Sequence, residues 1–269
     1  MTSHRYTMQP DFLEHAGRRL FHLLLRPVGE ARGSVLFLHA FAEEMHMSRR
    51  NVAATARALA TAGCNVMLLD LSGCGDGAGD FVDADWNTWR EDARGALAAL
   101  RALDAVPVAL WGMRLGALLA TDTAVNEADI ARLLLWQPVL NGEQQIDQFL
   151  RLKSVAGAMG PGAGFDRKHL WGQLRDGHAL EVAGYELSAR MAQEIARVRL
   201  ADLLPPCPVH WLEVSAGGEL ARPGGNVRGR WSEQGVRVST GVVPGPAFWR
   251  NHDAPLNDAL CAATLEALL

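Results

Sequence analysis

The sequence predicts an α/β fold: a doubly wound, mainly parallel sheet with helices on both faces and a small cap insertion. Three observations predict it. Short apolar runs alternate with stretches of helical periodicity. The runs are almost continuously apolar, as strands covered on both faces must be. The alternation breaks once, between about residues 141 and 200, before two more apolar runs and a closing helix. With 269 residues, 49% hydrophobic and 21% charged, the chain can bury one large core of this kind.

In chain order, "RLFHLLLRP" (19–27) reads as a strand stopped by Pro27, and "SVLFLHA" (34–40) as a buried parallel strand. A helix is expected from Ser48, as N-cap, through "RRNVAATARALATAG" to Gly63. "NVMLLDL" (65–71) is the next strand, followed by the glycine-rich loop "SGCGDGAGD" (72–80). "DADWNTWREDARGALAALRAL" (83–103) has helical spacing and an acidic first turn that suits the helix dipole. The strand Pro107–Trp111, its following helix and the strand "ARLLLWQPVL" (131–140) complete this half. Weak helices around a "GPGAG" turn fill the cap, so the expected division is a core of 1–140 and 201–269 with a cap of 141–200. Strands resume at "CPVHWLEV" (207–214) and "VRVSTGVV" (236–243), and "APLNDALCAATLEALL" closes the chain as a helix.

Composition narrows the function. A net charge of −4 with dispersed basic residues argues against a nucleic-acid partner. The apolar runs are too short to span a bilayer, so no membrane insertion is expected. The charged N-terminal stretch "MTSHRYTMQPDFLEHAGRRL" is not a signal peptide. Cys64, Cys74, Cys207 and Cys261 follow no metal spacing and suit reduced thiols in a cytoplasm. No cofactor and no metal are expected, and whether the chain forms a homodimer stays open.

The chemistry centres on "LWGMRLGALLA" (110–120). A strand runs into Gly112-Met113-Arg114-Leu115-Gly116 and then into an apolar helix, which is the layout of a G-x-S-x-G nucleophile elbow. The central residue here is arginine, which stays protonated and has no lone pair with which to attack. At a helix N-terminus a cation is disfavoured by about 0.3–1 kcal/mol. Arg114 therefore calls for an anion, either a carboxylate of the chain or a bound carboxylate or phosphate.

"LFLHAFAEEM", "LLDLSGCGDGAGDF", "WGMRLG", "LLLWQPVLNG" and the late strands flanking the cap stand in one order. This layout resembles the α/β-hydrolase fold along nearly the whole chain. More narrowly, "HAFAEEMHMSRR", "GCGDGAGDF", "WGMRLGALLA" and "GPAFW" resemble the exosortase A system-associated hydrolases, type 2, bacterial proteins found with exosortase sorting and exopolysaccharide machinery.

The resemblance implies an ester or thioester hydrolase with a Ser…Asp/Glu…His triad. It implies an oxyanion hole made by the Leu115 amide with Ala40 or Phe41. It places the acid at Glu213 or Glu219 and the base after "VVPG", where Pro246, Ala247 and Phe248 stand, with His252 a few residues on. It also implies that Glu43 and Glu44 face the elbow, as partners of Arg114 or, if catalysis survives, as a general base for water. His39 is expected to organise the oxyanion loop and is kept as a catalytic candidate. Asp76 and Asp80 would brace the site floor or cap turns, and Trp136 and Trp249, like Trp211, could line a pocket or pack in the core. Cys74 is a weak nucleophile candidate, having no adjacent histidine. Two classes remain: an atypical or vestigial hydrolase, and a non-catalytic pseudo-hydrolase that binds a small anionic or acyl ligand or a protein partner.

Overall fold

The computed structural model describes residues 5–157 and 166–269; the "GPGAG" turn lies outside them. The apolar runs form one eight-stranded sheet and the cap carries a small hairpin. The strands are β1 (Tyr6–His15), β2 (Arg18–Pro27), β3 (Gly33–Leu38), β4 (Cys64–Leu69), β5 (Val108–Met113), β6 (Ile130–Trp136), β7 (Leu180–Val182), β8 (Tyr185–Leu187), β9 (Val209–Val214) and β10 (Val238–Val243). The main sheet runs β1-β2-β4-β3-β5-β6-β9-β10. Its pairs are parallel except β1–β2 and β2–β4.

The helices are α1 (Glu43–Thr61), α2 (Trp86–Leu103), α3 (Leu115–Asn126), α4 (Gly142–Gly157), α5 (Arg167–Arg175), α6 (Ala189–Arg197), α7 (Arg222–Glu233) and α8 (Asp258–Leu268). Because side chains alternate along a strand, every central strand feeds two cores. Val35, Phe37, Val66, Trp111 and Leu134 pack under α1 and α8. Leu36, Leu38, Leu110 and Leu133 pack under α2, α3 and α7. This is why the strand runs are apolar at consecutive positions.

β1, α7 and the short β7–β8 hairpin escaped the sequence reading. β1 is exposed along most of its length and has no buried face to impose an apolar pattern. It is joined to β2 by Ala16 and Gly17, both at positive φ (49° and 75°), as tight hairpin turns require. α7 carries three glycines and is held by Val227 and Trp231, which reach the core.

One helix start is corrected. α1 begins at Glu43, and Ser48 is not its cap. Ser48 is buried in the second turn and donates from Oγ to the Met45 carbonyl (3.0 Å). The "EEMHM" stretch, polar and apolar mixed, is helical because the chain turns sharply at Ala42, four residues after β3.

The excursion between β6 and β9 holds α4, α5, the β7–β8 hairpin and α6. Its two ends are tied by a bridge between Asn141 and Arg199, with Gly142 N–H on the Val198 carbonyl (3.0 Å) and Leu200 N–H on the Leu140 carbonyl (2.9 Å). Ile146 and Leu150 of α4 meet Met191 and Ile195 of α6 in a core continuous with that of the sheet. The excursion therefore sits fixed over the C-terminal ends of β3 and β5, where open α/β sheets place their sites.

Candidate functional site

Two neighbouring parallel strands, β3 and β5, each lead into a helix through a residue at positive φ, Arg114 directly after β5 and Ala42 four residues after β3. Ala42 (φ 50°, ψ −127°) starts α1 and Arg114 (φ 55°, ψ −118°) starts α3. A non-glycine residue held this way costs about 1–3 kcal/mol, so the surroundings must over-determine it. Around Arg114 they do. Its N–H donates to the Trp136 carbonyl (3.0 Å), and its carbonyl accepts from Ala117 (3.1 Å) and Val139 (3.2 Å). The elbow geometry of the motif is thus complete, with an arginine on it.

The two helices begin side by side, so the first turn of α1 meets the elbow. Glu44 accepts from Arg114 Nε at 3.1 Å (Oε1) and 3.2 Å (Oε2), and from Nη2 at 3.0 Å (Oε1). Nη2 also donates to Gln145 Oε1 (3.3 Å) and Nη1 to the Gln137 carbonyl (3.5 Å). The Trp249 ring covers the guanidinium, 5.6 Å from its carbon. Arg114 is 9% exposed and Gln145 4%. The cation that the α3 dipole disfavours is neutralised by a carboxylate that both helix N-termini favour. Every nitrogen of the guanidinium is already engaged inside the protein.

Glu43 turns the other way, to the cap. Burial first, then the charge of Glu43, Cys74 and a hydrogen bond to Glu43 push the Tyr185 phenol up to about 12. Tyr185 stays protonated at neutral pH and serves Glu43 as a donor.

His39 is a brace. Its Nδ1 donates to the Ala40 carbonyl (2.8 Å) and its Nε2 accepts from Leu71 N–H (3.4 Å). Both ring nitrogens are occupied and none is left for a proton relay. Burial lowers its pKa from the ordinary 6.5, and also those of His22 and His210. Each is neutral in the fold and protonates more readily when unfolded. Stability therefore rises with pH up to about 6.5 and levels above it, with a slope of at most about 1.4 kcal/mol per pH unit for each group. The urea midpoint is expected to be lower at pH 5.5 than at pH 7.5, and equal midpoints would contradict this assignment.

The Leu115 amide lies in the first turn of α3, where no intrahelical carbonyl reaches it. Gly116 lets that turn press against β3: a Cβ there would lie 2.2 Å from the Leu38 carbonyl oxygen and 2.3 Å from that of His39. The void behind, lined by His39, Phe41, Leu71, Trp89, Leu115 and Gly116, has no room for water.

The other expected site residues are dispersed. Trp136 is a core residue: its Nε1 donates to Thr264 (2.9 Å) and its ring packs on Trp111 and Phe248. Trp211 likewise packs on Trp231. Asp80 caps a short 3-10 turn, Phe81–Asp83. Asp76 is exposed, and the brace of its loop is Asp70, which accepts from Asp76 N–H (3.0 Å) and pairs with Arg49 (3.5 Å). Cys74 is buried, and its thiol is pushed far up by burial, Asp70 and Asp92.

Glu213, at the end of β9, is saturated by Trp211 Nε1 (2.6 Å), Ala221 N–H (2.6 Å) and Arg228 (3.2 Å). Glu219 and His252 are exposed. After β10, where the resemblance puts a base, a 3-10 turn (Phe248–Arg250) delivers Trp249 onto Arg114. Among the described residues, the serine–histidine hydrogen bond is Ser239 to His210 (2.6 Å), at the N-terminal ends of β10 and β9 and thus at the opposite edge of the sheet.

Sequence reasoning missed Gln145 and Gln137. Gln145 was hidden in an ambiguous "EQQIDQF" stretch, and Gln137 acts through its backbone carbonyl, which no side chain signals.

A cleft of about 410 Å3 opens beside the pair. Phe41, Met47, Phe149 and Leu152 form its walls, with Glu44, Gln145 and Trp249 at the elbow end. Asp76, Asp80 and Trp136 are not part of it. Among the described residues no three His, Cys, Asp or Glu side chains are grouped to hold a metal ion, and no helix is long and apolar enough to cross a membrane.

Comparison with known proteins agrees with this architecture. The family model of the serine aminopeptidase, S33 matches residues 29–194, more than half of the chain. Among solved structures, Est1E from Butyrivibrio proteoclasticus with bound ferulic acid is 19% identical, with TM-score 0.69 over 95% of this chain and 96% of that one. A highly thermostable carboxyl esterase from Bacillus coagulans in complex with glycerol is 14% identical, with TM-score 0.67 over 97% of each chain. At these identities the structural likeness shows the fold. No curated protein matches the chain. The sheet order, the elbow after β5 and the family match agree: the chain belongs to the serine aminopeptidase, S33 family of the α/β-hydrolase superfamily.

Proposed function

We propose that this protein is a pseudo-hydrolase: a hydrolase-fold scaffold that no longer cleaves its ligand and binds in the cleft beside a locked elbow. The observation that carries this reading is the Arg114–Glu44 pair, three hydrogen bonds of 3.0–3.2 Å on the residue that would otherwise attack. A water-activating mechanism needs a carboxylate with a free oxygen. Both oxygens of Glu44 are held by Arg114, and Glu43 turns away from the elbow towards Tyr185 of the cap. An anion seated on Arg114 itself is opposed by the same geometry, since it would have to displace Glu44. The narrower resemblance to exosortase-associated hydrolases rests on four motifs in register. It supports a role for this scaffold alongside bacterial exosortase sorting or exopolysaccharide machinery.

The test is turnover of p-nitrophenyl esters and acyl thioesters from two to twelve carbons. Wild type is expected to match the buffer blank. Arg114→Ser is expected to match it too, because the Trp249 ring, and no imidazole, lies over that position. Residual turnover lost in Ser239→Ala would come from the distant Ser239–His210 pair and would leave the elbow inert. Turnover of wild type that is abolished by Glu44→Gln would overturn the proposal.

A further inference from the structure

We infer that the cleft takes an amphipathic monocarboxylate, its apolar chain against Phe41, Met47, Phe149 and Leu152 and its carboxylate at the mouth beside Arg250. This rests on the binding reading above and names the class of ligand.

The walls come first. Four large apolar side chains, Phe41, Met47, Phe149 and Leu152, face one cleft, and Leu152 stands at its rim, 42% exposed. The volume, about 410 Å3, lies within the about 300–1,000 Å3 of small-molecule sites.

The charges decide which head group fits. Two acidic residues line the cleft: Glu44 is neutralised by Arg114, and Glu43 lies towards the Tyr185 hydroxyl, a donor that carries no charge. The cations Arg151 and Arg250 also line it. Arg250 ends the 3-10 turn that lays Trp249 over Arg114, is exposed, and forms no ion pair among the described residues. A cationic amphiphile would meet the exposed Arg250 guanidinium, with Glu44 already paired to Arg114. A neutral one would leave the Arg250 guanidinium without a counter-charge. A carboxylate gains charge-assisted hydrogen bonds at the mouth. The anion site thus lies on the rim, on the 3-10 turn after β10, and away from the elbow arginine.

Isothermal titration with octanoate, 1-octanol and octylammonium tests this. Octanoate is expected to bind roughly tenfold more tightly than 1-octanol, with octylammonium weakest. Arg250→Gln is expected to reduce octanoate to the level of 1-octanol, and Leu152→Gln to weaken both. Because both side chains are exposed, these variants should fold as wild type, which circular dichroism checks. Equal binding of octanoate and 1-octanol, or octanoate binding unchanged in Arg250→Gln, would overturn the head-group assignment while the pseudo-hydrolase reading stood. Absence of binding by all three would overturn the ligand class. Ester turnover in wild type that Glu44→Gln abolishes would overturn the pseudo-hydrolase reading itself, whichever amphiphile bound.

Discussion

Glu44→Ala is expected to lower the free energy of unfolding by about 3 kcal/mol, because it leaves a buried guanidinium without its counter-charge. The magnitude follows from position. Arg114 has a side chain 10% exposed, Glu44 one 17% exposed, so water can only partly replace the carboxylate. The remaining partners, the Gln145 amide oxygen and the Gln137 carbonyl, are neutral. A second effect adds to the first: removing the carboxylate exposes the cation to the positive end of α3. Chemical denaturation of the wild type, Glu44→Ala, Arg114→Met and the double variant separates these. Arg114→Met/Glu44→Ala should recover most of the loss, since removing both charges leaves nothing unpaired. Additive losses in the double variant would mean that the two side chains act independently, and the lock would be disproved.

Gly116→Ala is expected to be more damaging still. The new methyl would stand 2.2 Å from the Leu38 carbonyl oxygen and 2.3 Å from that of His39, both rigid backbone atoms at the end of a central strand. Overpacking of this kind costs about 3 kcal/mol or more, since neither the strand nor the helix can withdraw. Gly112→Ala should behave alike, its Cβ falling 2.4 Å from the Gly116 carbonyl oxygen. Soluble expression and the urea midpoint read the effect, and near-wild-type values in both variants would refute the packing argument. The comparison carries a lesson about the motif. Both glycines are required by the way α3 crosses β3 and β5, whether or not a nucleophile sits between them. Their presence in "GMRLG" is therefore evidence of fold and says nothing of catalysis.

The legibility of the sequence follows the same physics. β3, β4, β5 and β6 could be read from their apolar runs because burial on two faces leaves few polar positions, such as the buried Ser34 and Asn65. β1 could not, since its register is fixed by pairing with β2 and most of its residues face solvent. β7 and β8, three residues each, are too short to show a period. At the site, the need of Arg114 for an anion followed from its charge and its place on a helix N-terminus. The choice of Glu44 over Glu43 did not, because it depends on the angle at which α1 leaves the strained Ala42. Asp76 and Asp80 were overvalued as site residues for a related reason. In a glycine-rich loop any aspartate can accept from backbone amides, and the one that does so across the loop is Asp70, at the strand end. The cover supplied by Trp249 was invisible because it depends on a long-range return of the chain after β10.

A crystal structure grown at neutral pH and soaked in acetate or sulfate tests the central claim most directly. The predicted density shows the Glu44 carboxylate on Nε and Nη2 of Arg114 at about 3 Å, the Trp249 ring over the guanidinium, and no soaked anion between Glu44 and Arg114. An anion bound to Arg114 with Glu44 turned aside, or the arginine side chain swung out to solvent, would contradict it.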